Sequence, residues 1–270
     1  ILVERSDRLG GWARQFSKRL PHLPPYRGPA VNDIESLVKA VEGNARIKVM
    51  TNATVTKTEG MPGKFAVAVR QGGSESALTV GAIVLATGWR PYDPTKLGHL
   101  GYGASPDVVT NVELEKMLSQ GPAKRKSDGR APKTVAFVQC AGSRDPNHLP
   151  YCSSVCCNVS IKQALQLVQA DPEVSAYIIF DELRTAGTAE EFYRPAQEAG
   201  VIFMKGKVKS VGSDLTVIVD DALIGEEVPM QGLDMVVLAT GMVPNSTDTT
   251  AEAAAGDKGV EQLKNDINPL

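Results

Sequence analysis

Short apolar runs of strand length alternate along this chain with segments whose apolar positions recur every three to four residues, the pattern of strands interleaved with helices. Ile1 to Glu4 opens as a strand ending in an acid. A proline-rich stretch from Pro21 to Pro29 follows, which neither a regular helix nor a central strand accommodates. Asp33 to Glu42 has helical spacing with Asp33 as its N-cap. Short β-like runs then succeed one another at Ile47 to Met50, Thr54 to Thr58, Lys64 to Arg70, Ser76 to Val80 and Ala82 to Ala86, separated by glycine, asparagine and proline. The last run is continuously apolar and predicts a buried strand.

Gly88 to Gly103 reads as a connection, Asn111 to Ser119 as a short helix and Gln120 to Pro132 as a linker. Lys133 to Gln139 predicts a second buried strand. Val155 to Ala170 predicts a helix with Val159, Ile161, Ala164, Leu165 and Val168 on its apolar side. Strand Ala176 to Phe180, helix Ala189 to Ala199, strand Val201 to Met204, β segments Lys207 to Val211 and Leu215 to Val219, and a closing strand Met235 to Ala239 complete the alternation. Two stretches echo each other, AIVLATG at 82 to 88 and MVVLATG at 235 to 241, each followed shortly by a proline, Pro91 and Pro244. Two copies of a buried strand ending in Ala-Thr-Gly predict a duplicated nucleotide-binding unit.

The expected fold class is α/β, with two dinucleotide-binding-like lobes built on three-layer Rossmann-type sheets. The expected division is a partial first lobe over 1–95, a connection over 96–132, a second lobe over 133–245 and a weakly ordered tail over 246–270. Because Ile1 begins directly as a strand, with no initiator methionine and no preceding turn, the first lobe reads as incomplete at its start. The chain therefore reads as a piece of a larger protein.

A net charge of −2 leaves no basic footprint for nucleic acid, and the run Lys124 to Lys126 sits in a polar stretch that reads as a solvated linker. The longest apolar runs are strand-sized, so no direct membrane span is expected, and no charged-then-apolar leader is present.

All four cysteines of the 270 residues fall in one stretch, Cys140, Cys152, Cys156 and Cys157, between a predicted strand and a predicted helix. In a dinucleotide-binding βαβ unit that turn carries the glycine-rich phosphate loop. Four thiolates crowded at a helix N-terminus suit a [4Fe–4S] cluster, whose negative charge the helix end favours as it would a pyrophosphate. Structural zinc is the main rival, although the adjacent pair Cys156-Cys157 fits its separated knuckles poorly. Buried or bridged cysteines are the third reading. With Cys-Ala-Gly-Ser-Arg-Asp in place of the phosphate loop, the second lobe lacks the cradle for NAD(P)H. Electrons are then expected to pass through the cluster.

On the first lobe, Glu4 at a strand end is placed to accept hydrogen bonds from adenosine ribose hydroxyls, and Gly10 and Gly11 let main chain approach a pyrophosphate and ring system. Together with the two Ala-Thr-Gly strands this predicts FAD. Trp12 and Trp89 each follow a glycine at a cofactor-facing turn, to shield the flavin or to fill the lobe interface. The set resembles the thioredoxin-reductase-like flavoproteins. That resemblance implies that Thr87, Gly88, Thr240 and Gly241 of the Ala-Thr-Gly turns lie against cofactor and that Val55, in TNATV, contacts adenine through its backbone. The first strand of that family and its G-x-G-x-x-G are not in this sequence.

Residues 139 to 157, QCAGSRDPNHLPYCSSVCC, resemble the central region of the heterodisulfide reductase A-subunit family, whose matching cysteines bind a [4Fe–4S] cluster near FAD. Within that family the cysteine-free PHLPPYRGP, with GWRPYDPTKLGHLGYG, TNVELEKML and LATGMVPN, is most similar to the B subunits of quinone-interacting membrane-bound oxidoreductase complexes, and next to their A subunits. The likeness covers about residues 1 to 246. It implies an electron-transfer subunit with no catalytic acid or base, cytoplasmic and held at the inner membrane through partner subunits. Such a subunit links adenylylsulfate reductase to the quinone pool in dissimilatory sulfur metabolism. The alternatives are an A-type heterodisulfide reductase protein with other partners, an NAD(P)H-dependent flavin reductase, or a zinc-stabilised interaction module. Among weaker candidates, His148 is placed to donate to a sulfur of the site, Arg144 and Asp145 to brace the loop as a pair, and Arg184-Thr185 with Glu191 to Arg194 to form either packing or a partner surface.

Overall fold

In the computed structural model, which describes residues 1–247, the chain divides into two compact units. The first comprises Ile1–Arg14, Asp33–Arg90 and the stretch from Val243. The second comprises Gln15–Asn32 and Pro91–Met242. The residues expected as a tail beyond 247 lie outside the described part.

The first unit pairs β1 (Leu2–Val3) in parallel with β2 (Val49–Met50) across α1 (Ile34–Glu42), which buries Val38. Asp33 precedes the helix without a side-chain cap bond. At the other end Gly43 donates its N–H to the Lys39 carbonyl at 2.9 Å. The β-like runs after Thr51 form one antiparallel meander, β3 (Ala53–Met61), β4 (Lys64–Gln71) and β5 (Ser74–Val80). Alternate residues of β3 and β4, Ala53, Val67 and Val69, bury one face against Met50.

Ala82–Gly88 departs from expectation. It is neither strand nor buried, and Val84 is 89% exposed. No strand among the described residues pairs with it. An apolar run acquires a parallel ladder only from neighbours, so propensity alone leaves it extended and unpaired.

The second unit is built on a seven-stranded sheet. Its elements are β6 (Val108–Thr110), α2 (Asn111–Gln120), β7 (Thr134–Ala141), α3 (Cys156–Ala170), β8 (Ser175–Phe180), α4 (Glu190–Glu198), β9 (Ile202–Val211), β10 (Val217–Asp221), β11 (Glu227–Met230) and β12 (Met235–Thr240). The order across the sheet is β11-β10-β9-β8-β7-β12-β6. The five strands from β9 to β6 run parallel, and β10 and β11 run antiparallel at the edge. Strand β12 is buried throughout because β7 and β6 flank it, unlike its echo at 82 to 88. The expected connection over 96–132 is part of this sheet layer. It contributes β6 as a strand and α2 as a helix started by a capping box, with the Thr110 side chain accepting from Glu113 N–H at 3.1 Å and Glu113 accepting from Thr110 N–H at 2.8 Å.

Helix α3 packs Ile161, Ala164, Leu165 and Val168 into a core with Phe137, Ile178 and Val237 of the sheet. On its flank lies a polar knot. Lys162 Nζ donates to Glu115 at 2.7 Å and to the Lys18 carbonyl at 2.7 Å, and the Ser17 N–H donates to Glu115 at 3.0 Å. Both charged side chains are nearly sealed, 4% and 5% exposed. The knot explains why Gln15–Asn32 belongs to the second unit: the segment satisfies a buried carboxylate and a buried ammonium that water does not reach. No helix among the described residues is long and apolar enough to cross a membrane.

Candidate functional site

The carboxyl edge of the parallel sheet ends in a bulge. Register shifts between Val138 and Ala141 where β7 meets β12, so Cys140 leaves the ladder with φ of 56°. Arg144 and Ser154, further along the loop, also sit in the left-handed region, at 58° and 56°. A non-glycine residue held there costs on the order of 1 kcal/mol, so three in one loop mark a backbone over-determined by its surroundings. Those surroundings are local. Leu149 N–H donates to the Gly142 carbonyl at 2.9 Å, Arg144 N–H to the Tyr151 carbonyl at 3.1 Å, and Met242 N–H to Ser153 Oγ at 2.8 Å. At Gly241 the loop passes so close that an added Cβ would strike Ser143 Oγ and Leu149.

The loop brings Cys140, Cys152, Cys156 and Cys157 to one pocket, which Gln139, Ser143 and Arg144 also line. All four are free thiols, with Cys156 and Cys157 buried in the first turn of α3. Burial pushes the Cys140 and Cys157 thiols up. It pushes Cys156 to about 12, with the neighbouring Cys157, Cys140 and Cys152 adding to the effect. Four thiolates at such proximity need a cationic centre to hold them. Backbone donors are in place: Ser154 N–H lies 3.3 Å from Cys152 Sγ and Arg184 N–H 3.4 Å from Cys157 Sγ, while Cys156 Sγ faces the Thr240 carbonyl at 3.6 Å.

The four thiols are donors of the kind an iron–sulfur cluster takes, and one observation bears on the fit. The buried Gln139 amide and Ser143 hydroxyl have no hydrogen-bond partner, as groups facing the sulfurs of a bound cluster would not until it is present. Among the described residues no group of three or more His, Cys, Asp or Glu side chains stands arranged to hold a metal ion.

Residues expected around the flavin divide between the units. In the first unit, Glu4 ends β1 with its carboxylate accepting Ser6 N–H and Oγ at 2.7 Å each. Gly10 has φ of 107°, and a Cβ there would lie 2.7 Å from Arg14 Cγ. Trp12 and Trp89 stack on each other, with centroids 5.1 Å apart, and Trp12 Nε1 donates to the Trp89 carbonyl at 2.7 Å. The pair thereby joins the turn of Gly10 and Gly11 to the turn of Thr87 and Gly88, whose carbonyls accept from Asn245. Val55 sits in the meander opposite Val69. Thr240 and Gly241 lie in the second unit and serve the cysteine loop: Thr240 is buried against Asn111, and the Gly241 carbonyl accepts Tyr92 N–H at 2.8 Å.

Three side chains fall elsewhere than expected. His148 turns to Tyr92, Nδ1 to hydroxyl 2.8 Å, and stacks near His99. Arg144 pairs with Glu182 at 3.2 Å and Asp181 at 3.5 Å, and it lines the cysteine pocket. Asp145 instead turns its carboxylate to the Asn147 N–H. The link from Arg144 to the end of β8 had no sequence signal, because the partners are remote along the chain. Thr185 is buried and bonds Glu190, whereas Arg184 is exposed and pairs with Glu182.

No protein-family model matches the chain. Its sequence is 36% identical over 209 residues to the A subunit of the H(2)/formate:CoB-CoM heterodisulfide,ferredoxin reductase of Methanococcus maripaludis, covering 72% of this chain and 32% of that protein. It is 39% identical over 195 residues to the iron-sulfur A subunit of the CoB–CoM heterodisulfide reductase of Methanocaldococcus jannaschii, covering 67% of this chain and 30% of that one. The chain thus spans about a third of the length of these relatives. Among solved structures, thioredoxin reductase from T. acidophilum superposes with a TM-score of 0.53 at 13% identity, covering 91% of this chain and 69% of its own. Thioredoxin reductase from Lactococcus lactis gives 0.53 at 16%, covering 96% and 74%. The fold is the thioredoxin-reductase-like α/β fold with two Rossmann-type lobes.

Proposed function

We propose that this chain, which belongs through its matched segment to the flavoprotein family of heterodisulfide reductase A subunits, is an electron-transfer unit of a multisubunit oxidoreductase that uses FAD and one [4Fe–4S] cluster. The observation that carries the reading is the meeting of four cysteines at one pocket, at the sheet edge and helix N-terminus where a dinucleotide lobe presents its phosphate loop. When bound, the flavin supplies two-electron and the cluster one-electron chemistry.

The residues act as holders. Cys140, Cys152, Cys156 and Cys157 ligate as thiolates, and the first turn of α3 faces their negative charge with free N–H groups. Glu4 takes the ribose, Gly10, Gly11, Thr87 and Gly88 bring main chain to the flavin with Val55 near the adenine, and Trp12 with Trp89 walls that site. Thr240 and Gly241 hold the cysteine loop down. An NAD(P)H-dependent reductase is disfavoured, because the second lobe has no glycine phosphate loop and all four cysteines of this sequence line one pocket of that lobe.

The partners under this reading are other subunits of a redox complex, of the kind the relatives' names give as heterodisulfide and ferredoxin reductases. A narrower placement, beside adenylylsulfate reductase and the quinone pool, cytoplasmic and attached to the inner membrane through partners, draws its support from the cysteine-free stretch Pro21 to Pro29. Anaerobic co-purification from the source cell separates the two sets of partners. The core reading is tested by anaerobic purification with absorbance, EPR, and iron, sulfide, zinc and flavin quantitation. About four irons and four sulfides per chain are expected. Zinc without iron or sulfide overturns the cluster, and Cys156→Ser is expected to remove most of its signal.

A further inference from the structure

We propose, resting on the cluster reading above, that the Gln139 amide and the Arg144 guanidinium, both on residues lining the cysteine pocket, set the reduction potential of the site. Three of the cysteines are contacted by main chain: Ser154 N–H at Cys152, Arg184 N–H at Cys157 and the Thr240 carbonyl at Cys156. Side-chain exchange leaves those groups in place. Arg144 lines the same pocket, with Glu182 and Arg184 beside it.

Gln139 is 8% exposed, lines the cysteine pocket, and has neither amide atom partnered. A buried amide left in that state is destabilising, and a sulfur acceptor in the pocket relieves it on the donor side. Arg144 is fixed from both ends. Its N–H is bound to the Tyr151 carbonyl at 3.1 Å, and its guanidinium is bound to Glu182 at 3.2 Å. Arginine keeps its charge under all working conditions, so beside the cysteine pocket it favours whichever state of the site is more negative. Adding one electron, with no bond made or broken, produces that state. Gln139 and Arg144 therefore raise the potential, while Asp181 and Glu182 oppose them and hold the guanidinium in place. Both are positioning residues, since neither ligates.

The test is an EPR-monitored redox titration of the anaerobically prepared full chain and its variants. Arg144→Gln is expected to shift the reduction equilibrium about tenfold toward the oxidised state, a fall of about 59 mV for one electron. Gln139→Met shifts it in the same direction by less, and Arg144→Lys keeps most of the wild-type value. Glu182→Gln shifts it the opposite way. If Arg144→Gln takes up no cluster, the opposed signs of Gln139→Met and Glu182→Gln carry the test. A wild-type cluster whose potential none of the four variants moves overturns this inference alone, as do shifts of one sign for Arg144→Gln and Glu182→Gln. A wild-type chain that holds zinc and no iron overturns the cluster reading and this inference with it.

Discussion

Gly241→Ala isolates the contact on which the cysteine loop rests. A Cβ at this position would strike Ser143 Oγ, lie 2.8 Å from Leu149 Cδ1 and lie 3.1 Å from Ser153 Oγ. None of these is the tip of a long flexible chain, since Leu149 is buried and Ser153 accepts Met242 N–H at 2.8 Å. The loop must move. Overpacking of this kind costs about 1 to 3 kcal/mol, and losing the Ser153 bond adds about 1 kcal/mol. Against this, alanine restricts the unfolded chain and returns about 0.4 to 1 kcal/mol. The balance is a net loss of about 2 kcal/mol, concentrated in the loop between β7 and α3.

Two measurements check it. In urea the second-unit transition of the reduced, metal-free protein is expected to fall by about 1 M for a slope near 2 kcal/mol/M, with the slope unchanged. Iron retained after anaerobic reconstitution is expected to drop by half or more, because displaced Ser143 and Ser153 flank the ligands. Ser143→Ala in the Gly241→Ala background removes the worst clash and is expected to recover part of both. An unchanged midpoint together with full iron content would refute the close approach, and with it the role given to the second Ala-Thr-Gly turn.

Lys162→Met leaves Glu115 sealed without its ammonium and is expected to cost about 3 to 5 kcal/mol by chemical denaturation; a loss below 1 kcal/mol refutes the knot as the anchor of Gln15–Asn32. The reduced, metal-free protein is expected to lose stability above about pH 9. Below the ordinary thiol value of 9.0 folded and unfolded Cys156 both keep the proton, and from there toward about 12 the unfolded chain releases it first. The slope is up to about 1.4 kcal/mol per pH unit, and a wild-type curve parallel to that of Cys156→Ser across this window rules it out. By hydrogen exchange, amides of Ala82 to Ala86 are expected to exchange near the rate of unfolded chain and those of Met235 to Ala239 far more slowly; equal protection contradicts the unpaired state of the first copy.

Periodicity located the second unit well because its signals are long and mutually consistent: a buried strand from Lys133, an amphipathic helix after the cysteines, and another buried strand at Met235 all form close to their expected bounds. Two features escaped it. Ala82–Gly88 reads as buried on composition, yet burial belongs to a sheet, and this run has no neighbour among the described residues. Gln15–Asn32 reads as an irregular stretch of the first lobe, yet Ser17 and the Lys18 carbonyl serve charges on α2 and α3 far along the chain. The same limit applied at the site. Cysteine spacing announced the pocket, but the pairing of Arg144 with Asp181 and Glu182, in place of adjacent Asp145, depends on where β8 ends beside β7.

The two Ala-Thr-Gly copies share a sequence and differ in use, and the difference has a physical origin. Glycine at a strand end allows another backbone to come within contact of it. In the second unit β12 is locked between β7 and β6, so Gly241 is a fixed surface on which the Ser143 to Ser153 loop can be pressed and its strained residues kept in place. In the first unit Gly88 has φ of 72° and ends an unpaired run, and it feeds directly into Trp89, which Trp12 covers. One copy rigidifies a ligand loop and the other brings two aromatic turns together. Rigidity is what an electron-transfer site needs, since little atomic rearrangement on gaining an electron keeps the transfer fast. The strained φ values at Cys140, Arg144 and Ser154 are then the local cost of holding four thiols at one pocket.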